Sequence, residues 1–210
     1  MPHDHHLPLT LHKGRVEALS DGIFAVVLTL LVLELKVPEM SHAEAAGRLN
    51  ESLVRLLPTF AGYLITFVVG SLFWYLHHAS FQFIKHTTPT LVVANLFFLG
   101  FVALLPFTMA LFSRFQGLTT PTVLYLGNFL GISLGLTAHV WLATKQGLFL
   151  DDSPPGQLVN LNRRIVTLFL ASSVGLAVAF IAPARAIYVF VGLMVAVRLY
   201  NKFNKRKAAS

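Results

Sequence analysis

The chain has 210 residues, of which 55% are apolar and only 12% are Asp, Glu, Lys or Arg. Soluble domains contain about 45–50% apolar and about 25% charged residues, so the composition argues against a water-soluble globule. The net charge is +7, and cysteine is absent, which excludes disulfides, thiolate metal sites and cysteine nucleophiles.

Four long stretches of the chain contain no charged residue. They contain 29, 28, 30 and 20 residues and cover 56–84, 86–113, 115–144 and 165–184. A helix needs about 20 apolar residues to cross the hydrocarbon core of a bilayer. The sequence therefore predicts an all-α integral membrane protein, a single transmembrane domain over residues 1–210. Its six spans are predicted at about 18–36, 58–77, 91–112, 121–144, 164–182 and 186–200.

Basic residues are distributed unequally between the two sides that these spans define. With the N-terminus in the cytoplasm, eleven of the 16 Lys and Arg residues lie inside, including the basic cluster at the C-terminus. Such an excess is typical of the cytoplasmic side, so both tails, 1–14 and 201–210, are predicted to be cytoplasmic. The C-terminal cluster follows a hydrophobic segment directly, which favours the lipid bilayer over nucleic acid as its partner.

Two segments between spans have their own patterns. Ser41 followed by Glu44 is a capping-box pattern, and leucines recur after it at helical spacing, so a short amphipathic helix is predicted on the outer face. The segment Gln146–Asn162 contains two aspartates, two prolines and a glycine, and it is predicted to be a polar cytoplasmic loop.

The first span is bounded by two acids that lie close together. Only twelve uncharged residues separate Asp21 from Glu34, which corresponds to about 18 Å of helix. This length is too short for a span that faces lipid. Asp21 is therefore expected to face protein or water, where an acid is a functional or pairing site. The alternative is an interfacial acid that pairs with Arg15 or Lys13.

One face of the same span carries Val26, Thr29, Leu30 and Leu33, at offsets of 0, 3, 4 and 7. Several copies of this helix around an axis would stack apolar rings with one hydroxyl ring, and such rings can gate ions by dewetting. The alternative is an ordinary packing surface, in which the Thr29 hydroxyl bonds to the carbonyl of Ala25.

The stretch RVEALSDGIFAVVLTLLVLELKVP, residues 15–38, resembles the first-span signature of the transmembrane protein 175 family of potassium channels. That signature has Arg, three further residues and then Phe-Ser-Asp, and Leu19 stands here in place of Phe. The stretches FWYLHHASFQFIK and NLFFLGFVALLPF resemble the family's second and third spans. The resemblance covers residues 15–113, about half of the chain.

The resemblance implies a homotetrameric channel of the bacterial plasma (inner) membrane, with a pore lined by the first span. It implies a constriction and gate at Val26, Leu30 and Leu33, and ion selectivity at Thr29 and Val26. It also implies a structural or gating polar network, whose members are Arg15, Ser20, Asp21, Trp74, His77 and Asn95. The resemblance also implies that potassium is the permeant ion, and no cofactor, metal site or enzymatic activity is expected. The chain lacks the Thr-Val-Gly-Tyr-Gly segment of a carbonyl filter.

Two other functions have some support in the sequence. Asp21 could be the coupling group of a proton- or cation-coupled secondary transporter, although neither internal repeats nor broken helices are evident. Ser133 lies in the hydrolase-like pattern Gly-Ile-Ser-Leu-Gly. However, three glycines of this region lie four residues apart, which favours a small-residue ridge for close helix packing.

Overall fold

The computed structural model describes residues 12–150 and 155–207 of the chain. It contains eight α-helices in this part of the chain, with a 3-10 turn at Leu31–Glu34 directly after the first helix. The helices are α1 Lys13–Leu30, α2 His42–Arg55, α3 Leu57–Gln82, α4 Pro89–Ala103, α5 Leu105–Arg114, α6 Thr119–Lys145, α7 Pro155–Ile181 and α8 Pro183–Lys207. The predicted all-α membrane fold is confirmed.

Six stretches of these helices are long and apolar enough to cross a membrane. They are Lys13–Glu34, Leu57–Gln82, Pro89–Arg114, Thr119–Lys145, Gly156–Ile181 and Pro183–Lys202. The number of spans therefore agrees with the sequence prediction. Helices α1 and α7 begin, and helices α3 and α8 end, at the same end of the bundle. We call this end the basic end.

The last two helices are longer than predicted. Helix α7 begins at Pro155, so the prediction of a polar loop up to Asn162 was wrong for residues 155–162. Helix α8 runs from Pro183 to Lys207, so residues 201–207 continue the helix and are not a separate tail. Proline favours the first helical position, and polar residues extend a helix beyond the bilayer without changing its hydropathy signal. The predicted tail 1–14 lies largely outside the described residues.

The third predicted span, 91–112, is interrupted. Helix α4 ends at Ala103, and Leu104 separates it from α5, which has Pro106 in its first turn. Pro106 has no N–H to donate to the carbonyl one turn earlier, and its ring clashes with that carbonyl, so the helical hydrogen bonding is broken at this point. The two halves together still form one candidate span.

The amphipathic helix predicted between the first two spans is present as α2. Ser41 Oγ accepts a hydrogen bond from the backbone N–H of Glu44, and the Glu44 carboxylate accepts one from the backbone N–H of Ser41. The capping box is therefore complete. The Glu44 carboxylate accepts hydrogen bonds from the Ser41 hydroxyl and, to a smaller effect, from the Ser41 backbone N–H, and these two bonds lower the pKa of Glu44 below its ordinary value.

Helix α6 is the centre of the bundle and packs against α4, α5, α7 and α8, while α1 packs against α3, α4 and α5. A Cβ atom at Gly131 would come within 2.5 Å of the Phe101 ring, and one at Gly135 within 3.0 Å of the Phe98 backbone. Gly127, in contrast, faces open space. The glycine ridge is thus a packing surface at two of its three positions.

Ser133 lies inside α6 and not at a strand-to-helix turn, so the hydrolase hypothesis was wrong. Its side chain is buried and donates a hydrogen bond to the carbonyl of Phe129, one turn earlier. This is the ordinary way in which a serine is accommodated within a helix in an apolar environment.

Candidate functional site

Helix α1 has one face that is anchored in the bundle. The buried residues of this face recur every three or four positions along α1 and the turn that follows, and they are Val16, Ser20, Phe24, Val27 and Leu31. Phe24 contacts the ring of Phe98 on α4, with ring centroids 5.8 Å apart. The spacing of the buried side chains is that of a helix with a single packed stripe.

The opposite face of α1 is exposed in the single chain. The exposed fractions of Val26, Leu30 and Leu33 are 56%, 42% and 65%, and Thr29 lies exposed between them. All four residues that the sequence singled out as one stripe therefore lie on the face that the bundle leaves uncovered. This face is available to another copy of the chain, to water or to lipid.

The hydroxyl group of Thr29 is directed back to its own helix. Thr29 Oγ1 lies 2.8 Å from the carbonyl oxygens of both Ala25 and Val26, and its single proton is donated to them. The alternative interpretation of Thr29, a bond to the Ala25 carbonyl, is therefore found in the structure. Because the proton is used in this way, the exposed hydroxyl oxygen is left with the capacity to accept a hydrogen bond or contact a cation.

A chain of hydrogen bonds connects α3 and α4 to the buried face of α1. Asn95 Nδ2 donates to Ser20 Oγ at 3.0 Å, and Ser20 Oγ donates to the carbonyl of Val16 at 2.9 Å. Asn95 Oδ1 lies 2.7 Å from His77 Nε2, and since an amide oxygen only accepts, the His77 nitrogen donates. Each of these side chains is buried, so the bonds are shielded from competing water.

A second, more exposed contact joins α1 to α3. Trp74 Nε1 donates to Asp21 Oδ1 at 2.8 Å, and the indole ring stacks on His78 with centroids 5.6 Å apart. In the described part of the chain Asp21 has no ion pair with Arg15 or Lys13. The structure therefore brings together five of the six predicted network residues in two separate hydrogen-bonded groups. The Arg15 side chain is exposed and belongs to neither group.

His77 is held by aromatic rings as well as by Asn95. Its imidazole lies parallel to the Phe98 ring at a centroid distance of 5.0 Å, and Phe81 lies at 4.8 Å on another side. Such rings leave little room for the imidazole to rotate. The direction of its Nε2–H toward Asn95 is thus fixed by packing as well as by the hydrogen bond.

Sequence reasoning missed the environment of two buried polar residues. Neither ring nitrogen of His139 has a hydrogen-bonding partner among the described residues, and the ring stacks on Phe81 at a centroid distance of 4.9 Å. Tyr125 is fully buried, and its hydroxyl lies 2.7 Å from Thr66 Oγ1. The only available signal was the position of both residues inside a long uncharged run.

Within the part of the chain that the structure describes, no group of three or more His, Asp or Glu residues lies close enough together to hold a metal ion. The polar groups near α1 instead bond to one another or to the backbone. The arrangement can therefore orient α1 and present its exposed face.

Comparison with known protein families identifies a match to the model described as "Endosomal/lysosomal potassium channel TMEM175", over residues 15–106. A protein named potassium channel from Streptomyces collinus is 30% identical over 172 residues, which are 79% of this chain and 82% of that relative. This alignment extends well beyond the half of the chain in which motifs were recognised. It is long enough to place the chain in a family.

Two further comparisons bear on fold and on length. The crystal structure described as a lysosomal potassium-selective channel TMEM175 homolog from Chamaesiphon minutus matches with a TM-score of 0.70 and 27% identity, covering 90% of this chain and 97% of that one. The mouse protein named endosomal/lysosomal proton channel TMEM175 is 37% identical over 108 residues, which are 49% of this chain and 21% of that relative. The chain thus corresponds to a bacterial relative over most of its length, and to about a fifth of the vertebrate one.

Proposed function

Since this chain belongs to the TMEM175 family, we propose that it is a potassium channel, a multi-pass membrane protein that conducts ions passively and is not an enzyme. We further propose that four copies assemble around an axis and line the pore with the exposed face of α1. The observation that carries the proposal is the shortness of the uncharged stretch between Asp21 and Glu34, which has twelve residues and corresponds to about 18 Å of helix. A face this short does not match the thickness of a lipid bilayer, but it suits a water-filled axis between subunits.

The narrowest part of the proposed pore lies at Val26, Leu30 and Leu33. Four copies of each residue would form apolar rings, and such rings resist the entry of water and of hydrated ions. The exposure of all three residues in the single chain supports this arrangement, because a bundle that needed them for its own core would bury them. In this account they form both the constriction and the gate.

Selectivity is proposed to arise at Val26 and Thr29. The hydroxyl proton of Thr29 is donated to the carbonyls of Ala25 and Val26, so its oxygen can replace part of the water shell of a passing cation. A ring of neutral hydroxyl oxygens has a weaker field than a ring of carboxylates. We therefore expect a preference for the weakly hydrated potassium ion over sodium.

The contacts of Ser20, Asp21, Trp74, His77 and Asn95 are proposed to hold α1 at a fixed distance from the axis. Ser20 and Asp21 are both on α1, and their partners are on two different helices, so a rotation of α1 would break both contacts. This is the arrangement expected of a structural or gating network. Arg15, one turn before Ser20, would then lie at the mouth of the pore as an exposed cation.

The transporter alternative has little support from this site. Its coupling group would be Asp21, but that carboxylate accepts a short hydrogen bond from Trp74 at the surface of the bundle. The family to which the chain belongs is one of ion channels. Potassium ions, further copies of the same chain and the surrounding bilayer are therefore the proposed partners.

The orientation in the membrane is proposed from charge. Of the 16 Lys and Arg residues, eleven belong to the basic end of the bundle, and this asymmetry favours a cytoplasmic location for that end and for both termini. The bacterial relative supports a plasma membrane location.

The proposed function is tested by flux from purified protein in liposomes, with potassium or sodium gradients and a clamped membrane potential. The account predicts rapid potassium flux that exceeds sodium flux and needs no counter-ion. The variants Val26→Asn and Leu30→Asn should increase leak or weaken the discrimination, because amide side chains hydrogen-bond to water and so oppose dewetting of the constriction. Val93→Asn, an equally exposed position on α4, is the matched control. Unchanged flux and selectivity in both α1 variants would contradict the proposal.

A further inference from the structure

A groove in the bundle is lined by residues of α3, α7 and α8. It has a volume of about 690 Å³ and is lined mostly by Leu, Ile, Val and Met side chains. At one end of the groove the lining changes to polar groups, which belong to Tyr75, Arg164, Arg198 and Asn201. This is the basic end of the bundle. The groove is therefore apolar along most of its length and cationic at one end.

We propose that this groove binds an anionic phospholipid, with the phosphate at Arg164 and Arg198 and an acyl chain along the apolar part. A guanidinium group binds phosphate strongly because it offers several N–H donors in a planar fork. Among the residues that the structure describes, neither arginine has a carboxylate or other hydrogen-bonding partner, and no acidic residue lines the groove. Two unneutralised guanidinium groups at one end of an apolar groove are complementary to a lipid phosphate.

The length of the groove also fits a lipid in one leaflet. On α3 the lining runs from Leu64 to Tyr75, a rise of about 16 Å at 1.5 Å per residue. This is about half of the roughly 30 Å hydrocarbon core, which is the depth that a single acyl chain occupies. The exposed Tyr75 ring at the end of this length lies where tyrosine is enriched, at the boundary between hydrocarbon and headgroups.

The position of the two arginines is set by the helices and by contacts around them. The Arg164 guanidinium lies 5.9 Å from the centre of the Tyr75 ring, and Arg163 beside it donates to Asn201 Oδ1 at 2.6 Å. Asn201 is one helical turn from Arg198 on α8. The contact between α7 and α8 thus places both cations on the same rim without neutralising them.

A second copy of the chain is the competing occupant of the groove. Such a copy would need an acid at the same membrane depth to neutralise Arg164 and Arg198. Of the two acids at the basic end in the described ranges, Asp21 is already bonded to Trp74, so Glu17 alone would have to neutralise two arginines. A phospholipid supplies an anion for the two arginines and an acyl chain for the apolar part, so it is complementary to the whole groove. This inference does not depend on the proposed pore.

The test is native mass spectrometry of the purified full-length protein, delipidated and then titrated with phosphatidylglycerol or with phosphatidylcholine of the same acyl chains. We expect phosphatidylglycerol to bind about tenfold more tightly, and the double variant Arg164→Gln/Arg198→Gln to lose this preference. The control Lys13→Gln/Lys145→Gln removes the same charge at the same end, outside the groove, and should keep it. A preference that survives in the Arg164→Gln/Arg198→Gln variant would overturn the proposal.

A second pair of variants tests the apolar part. Val195→Trp fills the groove and should weaken phosphatidylglycerol binding, while Val93→Trp, at a similarly exposed position on α4, should not. Glycerol phosphate at millimolar concentration should fail to displace the lipid, because it lacks the chain. The proposal would be overturned by displacement with glycerol phosphate alone. It would equally be overturned if Val195→Trp changed only the oligomeric mass, since a second copy would then be the occupant.

Discussion

Asn95 and Ser20 are 75 positions apart in the chain, yet the Asn95 amide donates a hydrogen bond to the Ser20 hydroxyl at 3.0 Å. The same amide accepts from His77, so one side chain on α4 connects α3 to the first helix. Both the oxygen and the nitrogen of the Asn95 amide form hydrogen bonds, and the side chain is buried. Its loss would therefore leave the buried His77 Nε2–H without its acceptor and would remove the hydrogen bond that joins α4 to Ser20.

Replacement of Asn95 by Leu should destabilise the protein by about 2 kcal/mol or more, because a buried group left without its partner costs about 1–3 kcal/mol. The measurement is the thermal unfolding midpoint in detergent. Asn128→Leu is the matched control, since Asn128 is also buried but makes a single 3.2 Å bond to Thr108 and has an amide oxygen without a partner in the described residues. Equal losses in the two variants would contradict the role given to Asn95.

Replacement of Asp21 by Asn should leave passive potassium flux in place, because an amide oxygen can still accept the hydrogen bond from Trp74 Nε1. Trp74→Phe removes the donor and should alter the flux more than Asp21→Asn does. Flux from liposomes measures both. If Asp21→Asn abolished all transport while Trp74→Phe had no effect, the carboxylate would be a coupling group and the channel account would fail.

The close packing of α6 predicts a sharp difference between two glycines. Gly131→Ala would place a Cβ atom within 2.5 Å of Phe101 and should destabilise the protein by about 1–3 kcal/mol. Gly127→Ala meets open space and should be neutral or stabilise the helix by up to about 1 kcal/mol. The thermal unfolding midpoints of the two variants measure this difference. A similar loss of stability in Gly127→Ala would argue against this packing of α6.

The capping box predicts a pH dependence of stability that is confined to α2. Hydrogen bonds from the Ser41 side chain and backbone lower the pKa of Glu44, so the stabilisation is complete above the ordinary value of 4.5. It is lost as the pH falls from there through the lower pKa of the folded state. Ser41→Ala should return the pKa of Glu44 toward 4.5, measured by NMR titration of the carboxyl carbon. An unchanged pKa would show that the Ser41 hydroxyl does not set it.

The hydropathy pattern was sufficient to predict six spans, because a lipid-facing helix cannot contain charges and must have a minimum length. It was not sufficient to predict where α7 and α8 begin and end, since Asn160 and Asn162 are helical outside the apolar segment. The hydropathy pattern also did not predict that the third span is divided into two helices at Leu104. Pro106 was visible in the sequence, but a proline in a span is compatible with a continuous kinked helix as well.

For the candidate site, helical spacing grouped Val26, Thr29, Leu30 and Leu33 on one face, and the structure leaves this face exposed. Which residues meet across helices could not follow from spacing, because Ser20 and Asn95 belong to distant segments. The family resemblance placed Ser20 and Asn95 in one network. It also placed Arg15 there, but among the described residues the Arg15 side chain forms no hydrogen bond or ion pair with the other members. His139 had no motif to mark it, and its position beside His77, with ring centroids 5.6 Å apart, is visible only in three dimensions.

The central claim is that the exposed face of α1 lines a water-filled pore, and the absence of cysteine allows a direct test. Single variants Thr29→Cys and Leu33→Cys, with Val93→Cys on α4 as the control, would be treated in liposomes with a charged, water-soluble thiosulfonate reagent. The account predicts that the two α1 variants lose most of their potassium flux and that the α4 variant keeps it. Unaltered flux after reagent treatment of both α1 variants, with the thiols unmodified, would mean that this face meets lipid or protein and that the pore lies elsewhere.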